Sequence, residues 1–150
     1  MLVWIVGAGG LFGSSLVRAS AEARRFVGAT VPWRDVAAAS AVLRADLERF
    51  TGAGEGDDWA VVWAAGAGVV GTTRAALDDE AELVRRFAAA VREKRPKGRG
   101  ALFLSSSAGM YAGSIAPPFD ERTEPRPMNA YGAVKLQQEH AVAHELAGAV

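Results

Sequence analysis

The chain has 150 residues, half of them apolar, with 17 basic and 17 acidic residues and no cysteine. That is enough chain and enough apolar character for one domain with a core of its own. Balanced charge gives no field that favours nucleic acid or an anionic membrane, and the lack of cysteine excludes a disulfide framework or a thiolate metal site and fits a reducing cytoplasm.

Residues 2–6, LVWIV, form an apolar run without polar alternation, the pattern of a strand buried on both faces of a parallel sheet. Gly7, Gly9, Gly10 and Gly13 follow at once, and Leu11, Phe12, Leu16 and Val17 then recur at helical spacing. Strand, glycine turn and helix together are the context of a dinucleotide-binding fingerprint. Glycines let backbone N–H groups approach a pyrophosphate, and the helix start supplies free donors and a partial positive charge. Gly7-x-Gly9 fits G-x-G-x-x-G in part, whereas Gly7-x-x-Gly10-x-x-Gly13 is a complete triplet. Residues 1–17 are uncharged but lack the basic start of a secretory signal, and the apolar run 59–70 is shorter than the ~20 residues of a membrane span. The expectation is a soluble, cytoplasmic protein.

The first helix is expected over 11–23 and a second strand over 25–30. The loop Val31-Pro32-Trp33-Arg34-Asp35 follows, where an acid would grip a ribose 2′-hydroxyl or an arginine a 2′-phosphate. Arg34 is assigned to cofactor contact, and Asp35 to capping the next helix. Val36, Ala39, Leu43, Leu47 and Phe50 repeat at helical spacing, so 35–51 reads as one helix. In the alternative, residues 42–47 form a short strand and Asp46 lies near an adenine. A strand over 59–65 ends in Ala64, Ala65 and Gly66, small enough for a ribose or pyrophosphate to lie on the backbone, or for the first helix to pack above.

A helix over 77–94 and a strand over 101–106 come next, then Ser105-Ser106-Ser107 and a proline-containing loop over 108–126. Asn129 or Pro127 opens a last helix toward residue 147. Tyr131 and Lys135 sit four apart at its start, on one helical face. A lysine ammonium beside a phenol favours the phenolate, whose free form titrates near ~10, and so provides a usable base. His140 and His144 are also four apart, but no H-E-x-x-H order accompanies them and no metal is expected. The expected fold is α/β, a Rossmann-type parallel sheet with helices on both faces. Phosphate loop, small-residue strand end and serine cluster all fall at carboxyl ends of strands, where such a sheet binds ligands.

The segment Leu104-Ser105-Ser106-Ser107-Ala108-Gly109-Met110-Tyr111, taken with the glycine loop and Y-x-x-x-K, resembles the extended short-chain dehydrogenases, the NAD-dependent epimerase/dehydratase family. The resemblance implies that Ser107 is the catalytic serine, Tyr131 the catalytic tyrosine and Lys135 the lysine that holds the nicotinamide ribose. It implies a pyrophosphate loop of Gly7, Gly10, Leu11, Phe12 and Gly13, and cofactor contacts at Ala64, Ala65 and Gly66. It also implies an acidic loop, Pro118 to Glu124, before the tyrosine helix. The function it implies is an NAD- or NADP-dependent epimerase, dehydratase or reductase acting on a nucleotide sugar, with this chain as the cofactor-binding half. It further implies a possible homodimer, and no nucleic-acid or membrane partner is expected. The rivals are a non-catalytic NAD(P)-binding module and a structural fragment that binds nothing.

The sequence departs from the family pattern in three places. Ala112 stands where the family usually has glycine. The position aligned with the family's active-site asparagine falls near Glu80. The family is also longer, so the 150 residues are expected to form an NAD(P)-binding domain without the later strands and the substrate domain.

Overall fold

A computed structural model describes residues 1–115 and 117–147. Its elements in chain order are β1 (Leu2–Val6), α1 (Leu11–Ala19), β2 (Arg24–Phe26), α2 (Val36–Ala53), β3 (Trp59–Trp63), α3 (Arg74–Lys94), β4 (Gly100–Leu104), a 3-10 turn (Ala108–Tyr111) and α4 (Ala130–Leu146). The strands form one sheet in the order β2-β1-β3-β4, and every pairing is parallel. This is a Rossmann-type α/β sheet. All five residues of β1 pair with β3, Leu2 opposite Trp59 and Val6 opposite Trp63.

Alternation along the strands divides the core into two layers. Leu2, Trp4, Val6, Val61 and Trp63 face α2 and α3, where they meet Leu43, Leu47, Phe50, Val84 and Phe87. Val3, Ile5 and Ala60 face the other way, toward Leu16 and Val17 of α1. Trp4 lies at the middle of the first layer, with ring centres 5.3 Å from Phe26, 5.6 Å from Phe50 and 5.4 Å from Phe87. Edge-on and tilted aromatic contacts of this kind add about 0.5–1.5 kcal/mol per pair beyond burial. Helix α4 lies against α3, and Arg92 pairs with the buried Glu145 at 3.0 Å.

Residues 35–51 are helical throughout, as the apolar spacing predicts, with Asp35 accepting the Ala38 N–H at 2.9 Å to cap α2. No strand forms over 42–47. The second strand is shorter than expected, ending at Phe26 instead of residue 30. Beyond Phe26 the backbone leaves the ladder, and the Ala29 N–H donates to the Asp46 carboxylate at 2.7 Å. The first helix stops at Ala19, not 23, and Ser20 ties its end back to the Leu16 carbonyl. Helix α3 starts earlier than expected, at Arg74, with Thr73 as its cap. The strand expected to reach residue 106 ends at Leu104, and the 3-10 turn follows after Ser105, Ser106 and Ser107.

Candidate functional site

The glycine loop divides by what each glycine does. Gly7 has φ of +88°, and a Cβ there would lie 2.6 Å from the Ala65 nitrogen. Gly13 faces back into the loop, where a Cβ would collide with the Gly7 carbonyl oxygen. The fold itself therefore needs both. Gly10 differs, because a Cβ there would meet only the Gly7 oxygen, at an ordinary 3.4 Å. Gly10 is the N-cap of α1 with φ of −76°, it supplies no capping side chain, and no acid stands in the first turn. Among the described residues the first N–H groups of α1 thus have no capping side chain, and they lie beside Gly10 at the positive end of the helix dipole. Such a cradle fits a pyrophosphate, and a side chain at residue 10 would fill it. Leu11 and Phe12 are exposed at the same helix start.

From this loop a cleft of about 360 Å³ runs between the ends of β1 and β2 and helix α2, lined by Gly7, Gly9, Gly28, Thr30, Trp33 and Asp46 among others. Asp46 is only 2% exposed and also pairs with Arg49. Asp35 is engaged as the cap of α2. Arg34 is exposed beside the cleft, has no ion pair among the described residues and is not part of the lining.

The second half of the site lies across β3. Ala64 continues the ladder by one bond, its N–H donating to the Val6 carbonyl at 2.9 Å, and packs in the layer under α1. Ala65 touches Gly7, and a Cβ on the next residue, Gly66, would lie 3.6 Å from the Lys135 ammonium nitrogen. Contacts therefore run from the glycine loop through the end of β3 to the start of α4. Asn129 fixes where α4 begins, its Oδ1 accepting the Gly132 N–H at 2.8 Å. Gly132 lets the helix approach the serine segment: a Cβ there would be 2.7 Å from the Gly109 carbonyl oxygen. Ser107 caps the 3-10 turn, its Oγ accepting the Gly109 N–H at 3.1 Å. Ser107 and Tyr131 are thus held on adjoining segments.

Tyr131 is half-buried against Leu77, Ala81 and Val134. Lys135 is 6% exposed, and its Nζ lies 5.8 Å from the centre of the Tyr131 ring. Nζ donates to the buried Gln138 Oε1 at 3.0 Å. Burial pushes the Lys135 ammonium below the usual lysine range, and the Glu80 carboxylate partly offsets that. Sequence reasoning missed Gln138, although its place three residues after Lys135 puts it on the same helical face. It noted Glu80 only as a departure, whereas the carboxylate accepts the N–H groups of Ala67 and Gly68 at 2.9 and 2.8 Å. In the loop before α4, Tyr111 stacks on Phe119 with ring centres 5.4 Å apart. Asp120 accepts the Arg122 N–H at 3.0 Å within that acidic loop. His140 and His144 are exposed on α4. No helix among the described residues is long and apolar enough to cross a membrane.

Residues 3–147 match the model of the NAD dependent epimerase/dehydratase family. Among curated proteins, none matches. Among solved structures, the chain is similar to a UDP-glucose 4-epimerase at 19% identity and a TM-score of 0.73, covering 99% of this chain and 48% of that one. It is similar to a dTDP-4-dehydrorhamnose reductase from Bacillus anthracis in complex with NADP, at 18% identity and a TM-score of 0.72, covering 95% and 49%. A UDP-glucose 4-epimerase from Brucella ovis in complex with NAD has 21% identity and a TM-score of 0.68, covering 97% and 48%. The chain spans about half the length of each of these structures.

Proposed function

We propose that this chain, which belongs to the NAD dependent epimerase/dehydratase family, is the cofactor-binding and catalytic half of an NAD(P)-dependent epimerase, dehydratase or reductase acting on a nucleotide sugar. One observation carries the reading. The uncapped start of α1 at Gly10 and the buried Lys135 beside Tyr131 lie at one end of the same sheet, joined by the contacts of Gly7 with Ala65 and of Gly66 with Lys135. The first is suited to a pyrophosphate and the second to a ribose and a reacting hydroxyl. Titrations of the sugar nucleotides named among the similar structures are the natural first choice of substrate.

A bound nicotinamide supplies the hydride acceptor and donor. The chain supplies the rest. N–H groups at the start of α1 hold the pyrophosphate. Lys135 holds the nicotinamide ribose and presents its charge to the Tyr131 ring. Tyr131 takes the proton of the sugar hydroxyl as its carbon gives up hydride, and returns it in the reverse step. Ser107 turns its hydroxyl from the Gly109 N–H toward the same sugar oxygen and orients it.

The test is fluorescence titration with NADH and NADPH, followed by turnover assays on a panel of UDP- and dTDP-sugars. Saturable binding that Tyr131→Phe leaves intact, with turnover that it abolishes in a catalytically active form, is the expected result. Absence of binding to either cofactor in a folded sample overturns the reading. Glu80, where the family pattern implies asparagine, favours a second reading, an NAD(P)-binding module without catalysis. Binding with no turnover on any sugar nucleotide, in a chain as long as the similar structures, selects that one.

A further inference from the structure

Glu80 of α3 reaches across the sheet end to the loop that follows β3. One carboxylate oxygen, Oε1, accepts both the Ala67 and the Gly68 N–H, at 2.9 and 2.8 Å. The other, Oε2, is turned toward Gly66, where a Cβ would lie 3.4 Å from it and 3.6 Å from the Lys135 Nζ. A carboxylate and an ammonium thus flank the same glycine, which has no side chain to fill the gap between them. They form no direct ion pair among the described residues. Lys135 is nearly covered, and its near partner in hydrogen bonding, Gln138, carries no charge.

We propose that Glu80 is a positioning residue that clamps residues 66–68 through two backbone hydrogen bonds and, across Gly66, supplies the negative charge that keeps the buried Lys135 protonated. The structural half rests on geometry alone, and its catalytic consequence rests on the proposed function. An ammonium withdrawn from water loses its charge more readily, and an opposite charge nearby restores it. The groups around Lys135 leave this task to Glu80. From α4, Tyr131 presents its ring and Gln138 a neutral amide oxygen. From α3, Asp78 is paired with Arg74 at 2.7 Å and Asp79 is exposed. Glu139 is half-buried on α4, and the Glu80 charge acts on Lys135 in the direction that favours protonation. The serine segment contributes Ser107, which is neutral and bonded to the Gly109 N–H.

The two roles separate by substitution. Glu80→Gln keeps an oxygen that can accept both N–H groups and removes the charge, whereas Glu80→Ala removes both. The experiment follows the Lys135 side chain by NMR with labelled lysine, in the 150-residue chain without cofactor, and assigns the signal with Lys135→Arg. In Glu80→Gln the Lys135 pKa is expected to fall, while the Ala67 and Gly68 amide signals stay in place. In Glu80→Ala the same fall is expected together with displaced Ala67 and Gly68 signals. An unchanged Lys135 titration in Glu80→Gln overturns the proposal, whatever happens to cofactor binding. Should that variant not fold, Glu80→Asp is read instead: it draws the charge back by one methylene, and a Lys135 pKa equal to that of the parent overturns the proposal equally. NADH and NADPH titrations of the parent chain test the functional reading separately. Their failure removes the consequence for catalysis and leaves the result on Lys135 standing.

Discussion

The glycine loop allows a test in which two substitutions of the same kind have opposite effects. At Gly10 a side chain would meet one carbonyl oxygen at 3.4 Å, and the backbone φ of −76° suits any L residue. Gly10→Val should therefore cost the fold little, about 1 kcal/mol or less, because an aliphatic residue is a poorer N-cap than glycine. The same valine would stand where a pyrophosphate must come within hydrogen-bonding distance of the helix start. Hydrogen bonds to a charged group contribute roughly 1.5–3 kcal/mol each. Loss of two of them corresponds to at least about a hundredfold weaker cofactor binding. Gly13→Ala adds only a methyl group, but it collides with the Gly7 carbonyl, a backbone atom that cannot swing aside. Overpacking of that kind costs about 1–3 kcal/mol or more. Urea unfolding and NADH or NADPH fluorescence titrations, run on both variants, read the two effects apart. Gly10→Val binding as tightly as the parent would refute the assignment of the cradle. Gly13→Ala unfolding at the parent's midpoint would refute the packing argument.

Arg34→Ala should weaken binding of NADPH more than of NADH, since a guanidinium free of other ion pairs among the described residues can grip a 2′-phosphate with paired hydrogen bonds, whereas Asp35 is committed to the cap of α2; equal losses for the two cofactors would show that Arg34 is a solvated loop residue. Glu82 is bonded by both Arg85 and Arg86, which lower its pKa from 4.5 to about 2. A carboxylate with a depressed folded-state value stabilises the fold above pH 4.5 and loses that contribution as pH falls from 4.5 toward 2. The whole shift would correspond to roughly 3 kcal/mol, and screening at this partly exposed side chain reduces it to about 1 kcal/mol. Glu82→Gln should lower stability by that amount at pH 7 and flatten the decline over the same acid range, as measured by urea unfolding at a series of pH values; an unchanged acid limb contradicts the assignment.

How far the sequence was legible depended on the range of the interaction involved. The buried strands β1 and β3 and the helices α2, α3 and α4 were readable because their signal is local: an unbroken apolar run, or apolar residues at helical spacing. The ends of elements were less so. Residues 27–30 were expected to continue the strand that ends at Phe26, and there the Ala29 N–H is taken by Asp46, distant in sequence. Tyr131 and Lys135 could be paired from their spacing alone. That Lys135 is also beside Gly66, and Glu80 on the far side of that glycine, depends on how α3 and α4 pack at the end of β3. No periodicity in the chain encodes that packing directly. The separate duties of Gly7, Gly10 and Gly13 were likewise hidden, since all three are the same letter and differ only in what stands opposite them.

Asp46 shows how a helix at this place in the chain can carry a buried acid to the end of the sheet. The spacing of Val36, Ala39, Leu43, Leu47 and Phe50 requires a helix, and that helix places Asp46 among Ala39, Leu43, Leu47 and Phe50, the buried residues of α2. A carboxylate taken from water needs compensation, and removing a partner from a buried charge is far more costly than the pair is worth. Arg49 compensates from the next turn, and the Ala29 N–H compensates from the loop after β2. The second of these bonds holds the chain just past β2, beside the cleft lined by Gly28, Thr30 and Trp33. Asp46 was expected at this end of the sheet only if residues 42–47 formed a strand. The helix places Asp46 there without one, where its carboxylate both lines the cleft and holds the Ala29 N–H just past the shortened second strand.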